Sequence, residues 1–176
     1  MQRISVVGPT GSGKTTVAAR IGEALGIPVV ELDAIHWGPG WTPVDRDHMR
    51  AEVAAMIAGD RWVVDGNYRS MVQDLVWAAA DTVVWLDLPF RSNARQLLGR
   101  TRRRVAGREA LWNGNRESLR AAVFSRDSLL WWLVKTYRKT RDRHARDMAS
   151  GEYPHLTWVR LRSRTQAEAW LAGLPT

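Results

Sequence analysis

The sequence contains no cysteine, which excludes disulfide staples and thiolate metal sites and agrees with a reducing compartment. Long apolar runs are missing too. The longest, LLWWLV at 129–134, falls well short of the roughly 18 residues that a membrane helix needs. MQRISVVG has few apolar residues before its first glycine, too few for the core of a signal peptide, so the expected location is the cytoplasm. Lysine is equally scarce: only Lys14, Lys135 and Lys139 occur, and the rest of the 26 basic residues are arginines. Two explanations fit that skew, codon bias in a GC-rich genome and a need for arginine's planar fork on phosphate oxygens. Repeats and low-complexity linkers are absent.

What is present is enough for one domain over 1–176, with 45% hydrophobic residues to build its core. The formal charge of +8 invites nucleic acid. Yet no helix-turn-helix, zinc finger or RNA-reading aromatic signature accompanies it, and net charge alone predicts only unspecific, salt-sensitive binding.

Apolar patterning predicts strands at 2–8, 28–33, 61–66, 81–89 and 156–162. Helices are expected between them: one from Lys14 to a glycine cap at Gly26, one capped by Asp45 and stopping near Gly59, a short one through Met71, Leu75 and Val76, and a closing one over 165–174. Alternation of this kind predicts an α/β fold with a five-stranded parallel sheet between helical layers. From Ser92 arginines crowd the chain at 91, 95, 100, 102, 103, 104 and 108. The insertion at about 92–150 therefore reads as an Arg-rich helical lid. Within it, 117–149 is helical in pattern, with Leu119, Val123, Leu130, Val134 and Tyr137 on related faces and a solvated, charged TYRKTRDRHARD portion.

GPTGSGKT, Gly8 to Thr15, fits the P-loop pattern and lies where it must, between a buried strand and an amphipathic helix. A polyphosphate needs backbone N–H groups aimed at its oxygens, and Gly8, Gly11 and Gly13 allow the chain to come that close. The following helix N-terminus favours an anion. Lys14 then reaches the β and γ phosphates and the Thr15 hydroxyl ligates Mg²⁺. The nucleotide contacts are expected at Gly8, Thr10, Gly11, Ser12, Gly13, Lys14, Thr15 and Thr16. No N-K-x-D guanine signature occurs in the chain.

VVDGNYRS at 63–70 ends an apolar run in charged residues. Ligands of parallel sheets bind at the C-terminal strand ends, so Asp65 is expected beside the P-loop, holding a water of the Mg²⁺ shell, or else capping a loop. Arg69 is placed either to clamp the phosphate or carboxylate of an acceptor or to stand on the surface. Trp37 and Trp41, around Gly38 and Gly40, can wall an acceptor pocket or pack in the core. His36 fits a packed loop residue better than a catalyst.

GxxGSGKTT, LDAIHWGPGW, WVVDGNY and ADTVVWLDLP together cover nearly the whole chain and resemble the P-loop nucleoside and small-molecule kinases of the adenylate kinase type. The likeness is greatest to the adenylate-kinase-related group named DNA topology modulation proteins. It implies ATP and Mg²⁺, with the preference for adenine resting on it alone. In nucleoside monophosphate kinases the third strand ends D-G-x-P-R, with the arginine on the acceptor's phosphate. Asp65, Gly66 and Arg69 match, with Tyr68 in place of the proline. The lid motif R-x-x-x-R implies Arg100 and Arg104 as transition-state arginines.

Where adenylate kinases carry T-G-D-x-x-R, this chain has Asp33, Ala34, Ile35, His36 and Trp37. That aspartate is similar to the one in shikimate and gluconate kinases that meets the acceptor hydroxyl. Asp33 is thus implied as proton acceptor or orienting group, with a helix cap or metal-shell role as the alternatives. The expected function is transfer of the γ-phosphoryl of ATP to a small-molecule acceptor. The second reading is a nucleotide-binding ATPase associated with nucleic acid.

Overall fold

A computed structural model describes residues 1–107, 113 and 129–175 of the chain. Five parallel strands form one sheet in the order β2-β3-β1-β4-β5: β1 (Arg3–Val7), β2 (Val29–Glu31), β3 (Trp62–Asp65), β4 (Thr82–Leu86) and β5 (Thr157–Leu161). The helices are α1 (Lys14–Leu25), α2 (Leu32–His36), α3 (Arg46–Met56), α4 (Asp74–Ala79), α5 (Phe90–Ala106), α6 (Leu129–Ser150) and α7 (Arg164–Ala172).

Side chains alternate across a strand, and both faces of this sheet are apolar, as a doubly covered parallel sheet requires. Ile4, Val6, Val63, Val84 and Leu86 face a layer holding Val17 and Ile21 of α1 and Leu171 of α7. Trp62, Val64, Val83 and Trp85 face the other way, onto Met49 and Val53 of α3 and Val76 and Trp77 of α4. Three layers result, with β1 central between β3 and β4. The Asp45 cap forms as expected, accepting from the His48 N–H at 2.9 Å.

Three expectations change. The strand expected over 28–33 stops at Glu31, and Asp33 lies on the short helix α2 instead. Leu32 is the reason: Gly66 sits against it, with φ +142° and room for no Cβ, which would meet Leu32 Cβ at 2.9 Å. The chain must turn there to bring Leu32 beneath the end of β3.

The segment expected as a lid from Ser92 begins as core. Asn93, Leu97 and Thr101 are buried at helical spacing on α5, and the arginines between them point elsewhere. At Gly11, with φ +78°, a Cβ would lie 2.6 Å from the Asn93 carbonyl oxygen. The first turns of α5 are therefore the floor of the glycine loop.

On α6 the inward stripe is Leu133, Tyr137, Thr140, His144 and Asp147, while Val134 is exposed. The TYRKTRDRHARD portion is thus solvated on one side only. The lid residues expected at 108–112 and 114–128, Arg108, Leu119 and Val123 among them, lie outside the described residues.

Candidate active site

The glycine loop and Asp65 come from the C-terminal ends of β1 and β3, while Arg100 and Arg104 come from α5, after β4. Parallel register sets Val6 beside Asp65, so the loop leaving β1 and the carboxylate leaving β3 start as neighbours. The Thr15 hydroxyl donates to Asp65 Oδ2 at 2.6 Å. Asp65 is buried, and its Oδ1 has no hydrogen-bond partner among the described residues. A buried, half-satisfied carboxylate next to a hydroxyl is a donor set suited to a hydrated divalent cation. Thr15 and Asp65 would hold a Mg²⁺ there.

Lys14 opens α1 and folds back so that Nζ donates to the Pro9 carbonyl at 3.3 Å, across the loop. Burial lowers its pKa, while the carboxylates of Asp65 and Asp33 pull it up and the Arg100 charge pushes it down again. Lys14, Asp33, Asp65 and Arg100 therefore share one electrostatic neighbourhood. Burial raises the Asp65 pKa, opposed by Lys14 and the Thr15 hydrogen bond. Ser12 is buried, and Thr10 lies at the loop's rim. Thr16 is exposed in the first turn of α1. Arg104 follows Arg100 on α5 by one turn, on the same face.

Asn67 was not singled out by sequence. Its side chain donates to the Gly8 carbonyl at 2.7 Å and accepts from the Gly8 N–H at 3.1 Å, so the glycine loop is bolted to the residue after the D-G pair. Its place between Gly66 and Tyr68 was the available signal.

On the other side, Tyr68 Oη donates to Asp33 Oδ1 at 2.6 Å. The Trp37 side chain in turn hydrogen-bonds Tyr68. Burial first, then the Asp33 charge, holds the Tyr68 phenol well above its usual range. His36 packs against both rings, 4.6 Å from Trp37 and 4.7 Å from Tyr68, and burial lowers its pKa. It is a packed residue of an aromatic cluster. Trp41 stands edge-on to Trp37 at 5.8 Å and is 36% exposed, so it is no core residue. Arg69, next in the chain after Tyr68, pairs with Asp147 of α6 at 2.5 Å.

A further constellation was not anticipated. Asp87, just past β4, is buried and held by Arg160 of β5 at 2.6 Å and by Arg141 of α6 at 2.8 Å. Tyr137 of α6 donates to the Leu88 carbonyl at 3.0 Å. Asp87 looked like part of a strand end, and only the fold reveals that it anchors two arginines.

No helix among the described residues is long and apolar enough to cross a membrane. No family model and no curated protein matches the chain. Among solved structures, a gluconokinase from Sinorhizobium meliloti 1021 is 24% identical, with TM-score 0.52, covering 97% of this chain and 91% of that one. A shikimate kinase from Bacteroides thetaiotaomicron is 15% identical, with TM-score 0.52 and coverage of 97% and 94%. Shikimate kinase from Acinetobacter baumannii, in complex with shikimate, is 16% identical, with TM-score 0.55 and coverage of 98% and 89%. At these identities the likeness carries the fold alone, a three-layer α/β architecture around a five-stranded parallel sheet.

Proposed function

We propose that the protein is an ATP- and Mg²⁺-dependent kinase that moves the γ-phosphoryl group to a hydroxyl of a small-molecule acceptor. The observation that carries the reading is the 2.6 Å contact between Thr15 Oγ1 and Asp65 Oδ2 at the sheet's C-terminal edge, with Lys14 and Asp33 in the same electrostatic neighbourhood. Phosphoryl transfer depends on positioning and charge neutralisation, and these residues divide that work. Backbone N–H groups of the glycine loop, at Gly11, Gly13, Lys14 and Thr15, cradle the phosphates, and Lys14 neutralises the transferred group. Bound Mg²⁺, held by Thr15 and through water by Asp65, would screen the charge that develops on the phosphate oxygens. Asp33 receives or orients the acceptor hydroxyl, with Tyr68 fixing its rotation. Trp37 flanks the acceptor, and Arg69 takes an anionic group on it. Arg100, with Arg104 behind it, adds positive charge where the transition state spreads negative charge.

The finer resemblance to the DNA topology modulation group belongs to this reading, as do a cytoplasmic location and the lid role of the arginine-rich segment. The test is ADP release from Mg·ATP with and without a panel of hydroxy acids, sugars, nucleosides and nucleoside monophosphates. Stimulation by one acceptor well above the basal rate supports the kinase. A slow basal rate that no panel member changes points instead to a nucleotide-gated binding protein.

A further inference from the structure

The inner stripe of α6 carries a group that phosphoryl transfer does not use. His144 is 2% exposed. Its ring lies 5.8 Å from Trp85 and 6.3 Å from Trp77 between centroids, and neither nitrogen has a hydrogen-bond partner among the described residues. Buried polar atoms are nearly always paired, so this ring requires an explanation.

Asp147, one turn along, supplies it. Its Oδ2 accepts from Arg69 at 2.5 Å, and the same oxygen stands 3.9 Å from His144 Nδ1. A shift of about 1 Å would bring that oxygen to hydrogen-bond distance from the imidazole. Arg69 keeps 41% of its side chain exposed while Asp147 keeps 9%. The arginine is reachable from solvent and the carboxylate is not. Arg69, Asp147 and His144 thus form a row in which one carboxylate has two partners within reach.

We infer that Asp147 is a placeholder on Arg69: an anionic group of the acceptor takes Arg69 from it, Asp147 turns to His144, and His144 takes one proton from solvent to become its new partner. The acceptor's identity as an anion rests on the kinase reading; the row itself does not.

The surroundings of the ring fit this exchange. Lys14 of α1, Arg69 after β3 and Arg143 of α6 face it with positive charge, Asp147 with negative charge, and Trp77 of α4 and Trp85 of β4 enclose it. Burial, ahead of these cations, lowers its pKa to about 4. An anion on Arg69 cancels one cation and frees the carboxylate, and both changes favour the imidazolium.

Histidine NMR titration tests the row without any turnover. The chain has four histidines, and His144→Gln assigns the relevant signal. In the wild type the His144 midpoint is expected below about pH 5. Arg69→Ala frees Asp147 as a bound anion would, and the midpoint should move above about pH 6. Adding Asp147→Asn should return it below about pH 5. A midpoint that stays low in Arg69→Ala overturns the inference, and Arg69→Gln gives the same reading should the alanine variant not fold.

With an acceptor from the turnover panel, its KM should rise up to about tenfold per pH unit between roughly pH 4.5 and 6.5, and Asp147→Asn should abolish that slope. Equal slopes in the two proteins overturn the exchange. Absence of any turnover removes the kinase reading, and the NMR midpoint then decides the row alone.

Discussion

Tyr68 Oη and Asp33 Oδ1 lie 2.6 Å apart, joining the turn after β3 to helix α2. Burial and the Asp33 charge keep the phenol protonated, so the bond has one direction, from Tyr68 to Asp33. The proline of the related D-G-x-P-R pattern carries no side-chain donor. In this chain the replacement gives Asp33 a fixed partner, itself hydrogen-bonded by the Trp37 side chain.

Tyr68→Phe should therefore lower kcat/KM for the acceptor by about 10- to 100-fold through misorientation of Asp33, with ATP affinity changed by less than about twofold. Steady-state kinetics with each substrate varied separately decide this. Equal losses on both sides would mean that Tyr68 only supports the fold.

Lys14→Ala should reduce nucleotide turnover by about 10²- to 10³-fold or more, since on the proposed reading it removes the charge nearest the transferred group. Far-UV circular dichroism should be unchanged, because among the described residues Nζ makes a single long bond, to the Pro9 carbonyl. Turnover that survives would discard the assignment of the glycine loop.

Asp65→Asn separates stability from function. Burial raises the Asp65 pKa, so the folded state binds this proton more tightly than the unfolded chain does. In the nucleotide-free protein the contribution to stability consequently grows as pH falls through the raised folded value toward the ordinary carboxylate range, and at neutral pH the ionised form is a cost. The amide should make the nucleotide-free protein more stable at neutral pH while abolishing the response of turnover to Mg²⁺. Urea unfolding at two pH values, paired with a Mg²⁺ titration, reads both; a destabilised variant at neutral pH contradicts the sign.

Gly11→Ala should destabilise the fold and the nucleotide site together. Its Cβ would meet the Asn93 carbonyl oxygen at 2.6 Å, at a backbone φ of +78°. A cost of about 1–3 kcal/mol is expected, read as a fall in melting temperature. A loop that tolerates alanine would show that α5 does not press against it.

The glycine loop, the parallel sheet and Asp65 were legible because each leaves a local signature: glycine spacing, apolar runs, and a charge where a run ends. The partners of those residues were not. His144 and Asp147 sit in a segment whose dense charge reads as solvated, and their inward position depends on a polar stripe that hydropathy cannot see. Asn93, Leu97 and Thr101 were masked likewise by the arginines around them. The turn at Leu32 was hidden because VVELD alternates as well for a strand as for a strand that ends early, and only contact with Gly66 decides.

Helix α6 is tied by ion pairs to the chain past β3 and to the chain past β4. Arg141 pairs with Asp87 just past β4, and Asp147 pairs with Arg69 just past β3. Along the helix those two residues are about 9 Å apart, and a helix passes a displacement from end to end with little loss. On the proposed kinase reading, a tilt of this crossbar caused by one substrate is expected to reach the other, and by reciprocity each would then alter the other's affinity by the same factor. Calorimetry with each ligand alone and with both together would measure that shared factor directly.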